Sequence, residues 1–172
     1  EMLRSLVGSE MCIRDSRGLL YVPISDFPAG LELSAEPTPG LYALSLDDGS
    51  VQWFTAKDFS PEARAEFGFW PGLSAGIVAA DGIVVAGDLA GQLEAYGAAS
   101  GEILWRYKTA RSFATVNGQE ASGGSIDSHG PLLVDDLLLV SSGYAGVSMK
   151  GGNAFLVFQL AAPIADPGTE AE

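Results

Sequence analysis

Apolar and polar residues alternate along this chain in short runs separated by glycine-bearing turns. In Gly91 to Trp105, GQLEAYGAASGEILW, the residues Leu93 and Ala95, then Ile103 and Trp105, put one face of two strands inward at a period of two. The same pattern stands earlier in Leu41 to Trp53, LYALSLDDGSVQW. At an offset of 52 residues Leu41 meets Leu93, Ala43 meets Ala95, Gly49 meets Gly101 and Trp53 meets Trp105. Each copy predicts a strand, a tight turn and a second strand. Gly49 and Gly101 sit where the turn needs a positive φ.

The other runs fit the same scheme. Gly18 to Ile24, Ser74 to Ala79, Ile83 to Ala86, Pro131 to Val134, Leu137 to Ser141 and Asn153 to Leu160 read as strands. Ser60 is placed to cap a short helix over residues 61–66, with Pro61 at its first position. Residues 74–107 then hold four strands, and a β-hairpin ending in Trp recurs after about fifty residues. Such spacing predicts a β-propeller blade. The fold class is all-β, a partial propeller of about two and a half four-stranded blades. Lys108 to Ser128 reads as a Gly/Ser-rich excursion.

Composition narrows the function. The net charge is −13, so a phosphate backbone is repelled and nucleic acid is not an expected partner. No apolar run approaches the roughly 18 residues of a membrane span. Residues 1–16 do not share the pattern. Their run SLVGSEMCIRDS resembles a translated sequencing adapter, and the segment is set aside as foreign to the fold. Cys12, the single cysteine, falls inside it. The expected organisation is therefore blades over 17–160 and a frayed tail over 161–172. So few blades do not close a ring, which points to the C-terminal piece of a longer protein.

The pattern Ala-Gly-Ile-Val-Ala-Ala-Asp-Gly-Ile-Val-Val-Ala-Gly-Asp, then Gly-Gln-Leu-Glu-Ala-Tyr and Ser-Gly-Glu-Ile-Leu-Trp, resembles the repeat of pyrroloquinoline quinone (PQQ) dependent dehydrogenases. Thr109 to Phe113, Val116-Asn117-Gly118, Gly123 to Asp127, Ser142-Gly143-Tyr144 and Gly152 to Leu156 resemble the C-terminal region of polyvinyl-alcohol-dehydrogenase-like members. The resemblance covers about residues 18–160. It implies a periplasmic enzyme that oxidises an alcohol, with PQQ and calcium as cofactors and cytochrome c as electron acceptor. The chain departs from that pattern at residues 67–72, where a cysteine-bearing loop is expected and none stands. Non-enzymatic propellers of the cell envelope share the blade repeat and define the rival reading.

A quinone site needs cationic and amide donors in the ring plane, calcium needs hard oxygens, and alcohol oxidation needs a base. The loops leading into the inner strands, 69–74 and 117–129, line one mouth of a propeller channel. Asp127 is the candidate base and calcium ligand, though an Asp in such a loop also serves a turn. Arg111 is a candidate fork for a quinone carboxylate, or a surface ion-pair partner. Asn117 and Ser125 are candidate in-plane donors or ordinary loop residues. His129, the single histidine, and Trp70 read equally as structural. Trp53 and Trp105 are expected to pack blades. No P-loop, dinucleotide fingerprint, nucleophile elbow or His/Cys metal cluster is present.

Overall fold

The computed structural model describes residues 14–16, 18–27, 36–67, 69–80, 82–146 and 149–159. Three antiparallel sheets follow one another. The first takes β1 (Arg14–Ser16), β2 (Leu19–Ile24), β3 (Gly40–Ser45) and β4 (Val51–Ala56). After the helix α1 (Pro61–Phe67) come β5 (Val78–Ala80), β6 (Ile83–Gly87), β7 (Gln92–Gly97) and β8 (Ile103–Lys108) as the second sheet. A two-stranded ribbon, β9 (Ser112–Ala114) and β10 (Glu120–Ser122), precedes the third sheet of β11 (Leu132–Val134), β12 (Leu137–Ser142) and β13 (Ala154–Gln159). Within each sheet the strands lie in chain order, the meander of a propeller blade.

The 52-residue repeat is exact at the level of hydrogen bonding. Ala43 opposes Trp53 and Ala95 opposes Trp105, and both pairs sit beside a register shift, at Ala43/Leu44 and at Ala95/Tyr96. Gly49 and Gly101 have φ of 72° and 71°. The sheets stack face to face. Tyr21, Leu41 and Ala43 of the first close a core with Leu73, Ile77, Val84, Ala86 and Tyr96 of the second. Ala75, Val85 and Leu93 of the second close another with Ile126, Leu138 and Val140. Trp53 docks across the first interface, its Nε1 donating to Ala98 O at 3.0 Å.

Three details depart from the sequence pattern. The strand expected from Ser74 begins only at Val78. Ser74 is spent on a side-chain bond, and Gly76 N donates to Ser128 O, so residues 74–77 pair with the 127–130 segment. That approach is close enough that a Cβ at Gly130 would lie 1.6 Å from Gly76 O. The excursion after Lys108 contains the β9–β10 ribbon, turned at Gly118. Of residues 1–16, the three described form β1, paired with β2. Backbone pairing of this kind needs no particular side chains, so any extended segment can fill an open sheet edge. Residues 161–172 lie outside the described ones. Among the described residues no helix is long and apolar enough to cross a membrane.

Candidate functional site

The two loops expected to line the channel mouth meet at one bond. Ser74 Oγ donates to Asp127 Oδ1 at 2.6 Å, joining the approach to β5 with the approach to β11. The same oxygen accepts Ser128 N–H at 2.8 Å. Ser128 is held at φ 61°, the left-handed region that costs a non-glycine residue roughly 1–2 kcal/mol. Asp127 itself is half-buried. Its Oδ1 is thus fixed from two sides, and no described group bonds Oδ2.

The other candidates do not join it. Ser125 is fully buried. Its hydroxyl donates to Leu89 O at 2.5 Å and accepts Lys150 N–H at 2.9 Å, so it locks the loop to the blades on either side. Arg111 is exposed, with its guanidinium 5.0 Å from the Tyr107 ring centre and 4.9 Å from that of Phe113, and it donates to the Tyr107 hydroxyl. That is a cation over two aromatic faces. Asn117 lies in the exposed β9–β10 turn, where Oδ1 accepts Gln119 N–H at 3.2 Å and the Thr115 hydroxyl at 2.6 Å. His129 is exposed. Trp70 donates to Ser25 O at 2.7 Å and packs against Phe59 in a closed corner.

Arg111, Asn117 and Ser125 therefore form no common cradle, and the described residues do not fit a quinone. They do not fit a complete calcium site either: among them no cluster of three or more His, Cys, Asp or Glu side chains could hold a metal ion. A cleft of about 790 Å³ beside the β9–β10 ribbon is lined by residues such as Thr115, Gln119 and Asn153. It includes none of the four candidates.

A second constellation is buried between the first two sheets. Lys57, just past β4, puts Nζ 2.8 Å from Asp88 Oδ2 and 2.5 Å from Glu94 Oε2. Arg106 Nε reaches Glu94 Oε1 at 2.6 Å, and the Tyr96 hydroxyl donates to Glu94. Gln92 Oε1 is buried with no hydrogen-bond partner among the described residues, and Gln92 lines a cavity of about 140 Å³ together with Lys57, Glu94 and Arg106. Burial pushes the Asp88 carboxyl up to about 6 against the pull of Lys57. Burial pushes Glu94 up too, but Lys57, Tyr96 and Arg106 outweigh it and hold this carboxyl below its usual range. Burial pulls Lys57 down, and its two carboxylates more than offset that. Burial, then Glu94, drive the Tyr96 phenol well above its ordinary range.

Alternation could not reveal this cluster, because both faces of β7 are largely buried. The repeat could. At the 52-residue offset Glu94 and Tyr96 replace Tyr42 and Leu44, a charge in an apolar column.

Stacked four-stranded meanders with docked tryptophans define the chain as part of a β-propeller. Residues 37–157 match the PQQ_2 repeat family, described as "Outer membrane protein assembly factor BamB", and the chain belongs to that family. It is 32% identical over 131 residues to a polyvinylalcohol dehydrogenase of Pseudomonas sp, covering 71% of this chain and 20% of the relative. A polyvinylalcohol dehydrogenase of Sphingopyxis sp. (strain 113P3) is 30% identical over 152 residues, covering 86% and 23%. The chain thus spans about a fifth of the length of these curated relatives. Among solved structures, the quinohemoprotein alcohol dehydrogenase ADHIIG from Pseudomonas putida HK5 superposes with a TM-score of 0.51 at 20% identity, covering 76% of this chain and 16% of that one.

Proposed function

We propose that this chain is part of a periplasmic PQQ-dependent dehydrogenase that oxidises an alcohol to a carbonyl, and that Asp127 is the base it contributes. The observation that carries the reading is the Ser74–Asp127 bond, which brings both inner-strand loops to one carboxylate. With Oδ1 held by Ser74 and Ser128, Oδ2 is left to accept the proton of a substrate hydroxyl. The relatives named as polyvinylalcohol dehydrogenases support the substrate class. The resemblance implies PQQ, with calcium, as acceptor of the two electrons and cytochrome c downstream; neither cofactor is assigned to residues of this chain.

A second reading is a non-enzymatic scaffold propeller of the cell envelope, favoured by the family's description as an assembly factor. The whole protein, reconstituted with PQQ and calcium, separates the two. Alcohol-dependent reduction of a dye acceptor supports the dehydrogenase. Its absence with PQQ demonstrably bound, or a failure to bind PQQ at all, supports the scaffold.

A further inference from the structure

We propose that Lys57 and Asp88 are positioning residues that hold Ser74 and Asp127 in register. The proposal rests on the reading of Asp127 as the base. It starts from what the other blades place at the same positions. Strand register aligns Asp88, Glu94 and Tyr96 with Ile24, Tyr42 and Leu44 in the first sheet and with Ser142, Leu156 and Phe158 in the third. Lys57 corresponds to Thr109, whose Oγ1 accepts the Ser142 hydroxyl at 2.8 Å. Neutral or apolar residues therefore suffice to pack this place in a blade. A buried ion pair often does no more than break even against such residues, because both charges lose their water. Stability alone is therefore a weak account of the charges in the second sheet.

Their bonds lead to the site. Lys57 fixes the Asp88 carboxylate, and Asp88 Oδ1 accepts Gln92 N–H at 2.7 Å, closing the 88–92 turn. That turn supports both loops at once. Leu89 N donates to Gly72 O at 3.0 Å, two residues before Ser74. Asp88 O accepts Ile126 N–H at 3.0 Å, and Leu89 O accepts the Ser125 hydroxyl, directly before Asp127. One blade's cation thus sets the turn on which the two halves of the Ser74–Asp127 bond rest. Displacement of a reacting group by about 1 Å can cost on the order of a hundredfold in rate.

The test uses the whole protein with Lys57→Thr, Lys57→Arg and the neutral set K57T/D88S/E94L/Y96F, which copies the residues of the next interface and so keeps a packing the fold already uses. Two quantities are read: kcat against KM for alcohol oxidation, and hydrogen exchange at the Ile126 amide with Leu138 as reference. The expected result is a kcat lower by roughly tenfold to a hundredfold with KM little changed, partial recovery in Lys57→Arg, and Ile126 exchange at least about tenfold faster while Leu138 is unaltered. Faster Ile126 exchange in a protein that oxidises no alcohol supports the positioning and overturns the reading of Asp127. Unchanged exchange at Ile126 in both Lys57→Thr and the neutral set overturns the positioning, whatever the activity, and so does faster exchange with wild-type kcat in an active enzyme.

Discussion

Thr109 stands where Lys57 stands one repeat earlier, and the two reach the next blade by opposite chemistry. The backbone N–H of each donates at 2.8 Å to the residue that opens the preceding strand pair, Gly91 O for Thr109 and Pro39 O for Lys57. Beyond that shared anchor, Thr109 meets a serine hydroxyl and Lys57 meets two carboxylates. Identical backbone geometry therefore carries a neutral junction at one interface and a charged one at the other.

The charged junction makes stability depend on pH with a definite sign. The Asp88 carboxyl titrates near 6 when folded and near 3.8 when free, so the folded state holds the extra proton between those values. Its contribution is full below about pH 4 and is lost as pH rises through 6. Asp88→Asn removes that titration. In the whole protein the stability of the wild type minus that of Asp88→Asn should fall between pH 4 and 6, by on the order of 3 kcal/mol at about 1.4 kcal/mol per pKa unit. Glu94→Gln should give the opposite trend, because the Glu94 carboxyl is held low and its contribution disappears as pH falls. Denaturation midpoints at pH 4, 5, 6 and 7 measure the Asp88 difference, and midpoints below pH 4.5, the free value of Glu94, measure the Glu94 one. A difference for Asp88→Asn that is flat across this range contradicts the assignment.

Sequence pattern alone located the blades, because strand pairing forces a fixed spacing. Ala43, Gly49 and Trp53 recur as Ala95, Gly101 and Trp105 because the same bulge and the same turn recur. The Ser60 cap is equally local: its hydroxyl accepts Ala63 N–H at 3.2 Å at the start of α1. The β9–β10 ribbon escaped because its strands have three residues each, too short for an alternation to register. Ser125 looked like a free donor because its two partners, Leu89 O and Lys150 N, are backbone atoms far away in the chain. Arg111 and Asn117 are drawn to close neighbours instead, the Tyr107 and Phe113 rings and the 115–119 turn. The Lys57 cluster joins residues 37 apart in the chain on a strand buried on both sides, where no period of two survives.

The two repeat-equivalent glycines should differ sharply on substitution. Both have positive φ, but a Cβ at Gly49 meets nothing within 4 Å, whereas one at Gly101 would lie 2.5 Å from the Trp53 ring. Gly49→Ala should cost only the backbone penalty, about 1–2 kcal/mol. Gly101→Ala adds a clash with the docked Trp53 and should cost roughly 3 kcal/mol or more. Trp53→Phe, which loses the bond to Ala98 O, should cost about 1 kcal/mol for the hydrogen bond and more for the lost ring area. Urea denaturation of the three variants ranks them, and equal costs at the two glycines contradict the docking.

The outer face of the third sheet predicts how the chain behaves alone. Register places Leu132 and Val157 on one face with Leu139, and Val134 and Phe155 share it. These four are 54%, 54%, 44% and 64% exposed in the order Leu132, Val157, Val134, Phe155. A contiguous apolar sheet face of this kind drives association. The expressed 172-residue chain should self-associate and bind a hydrophobic dye, and Val157→Lys with Phe155→Glu should reduce both. A monomer that unfolds cooperatively in urea and binds no dye contradicts this.

Asp127 separates its two readings by one substitution. Asn keeps the size of the side chain and an Oδ1 that accepts Ser128 N–H and the Ser74 hydroxyl, so the turn and the loop junction survive. It removes the negative charge and the capacity to take a proton. If Asp127 is the base, Asp127→Asn in the whole protein should lower kcat on the order of 10²- to 10⁴-fold with the melting temperature nearly unchanged. Ser74→Ala removes only the restraint on Oδ1, so its loss of kcat should be smaller, on the order of tenfold. If Asp127 serves a calcium ion, excess calcium should partly restore Asp127→Asn, because a carbonyl oxygen remains where the carboxylate was. As a turn residue alone, Asp127→Asn stays within about threefold of wild type, below the acid–base range. Steady-state alcohol oxidation with a dye acceptor, run with and without added calcium, distinguishes these cases, and an Asp127→Asn enzyme of near wild-type activity removes the residue from the site.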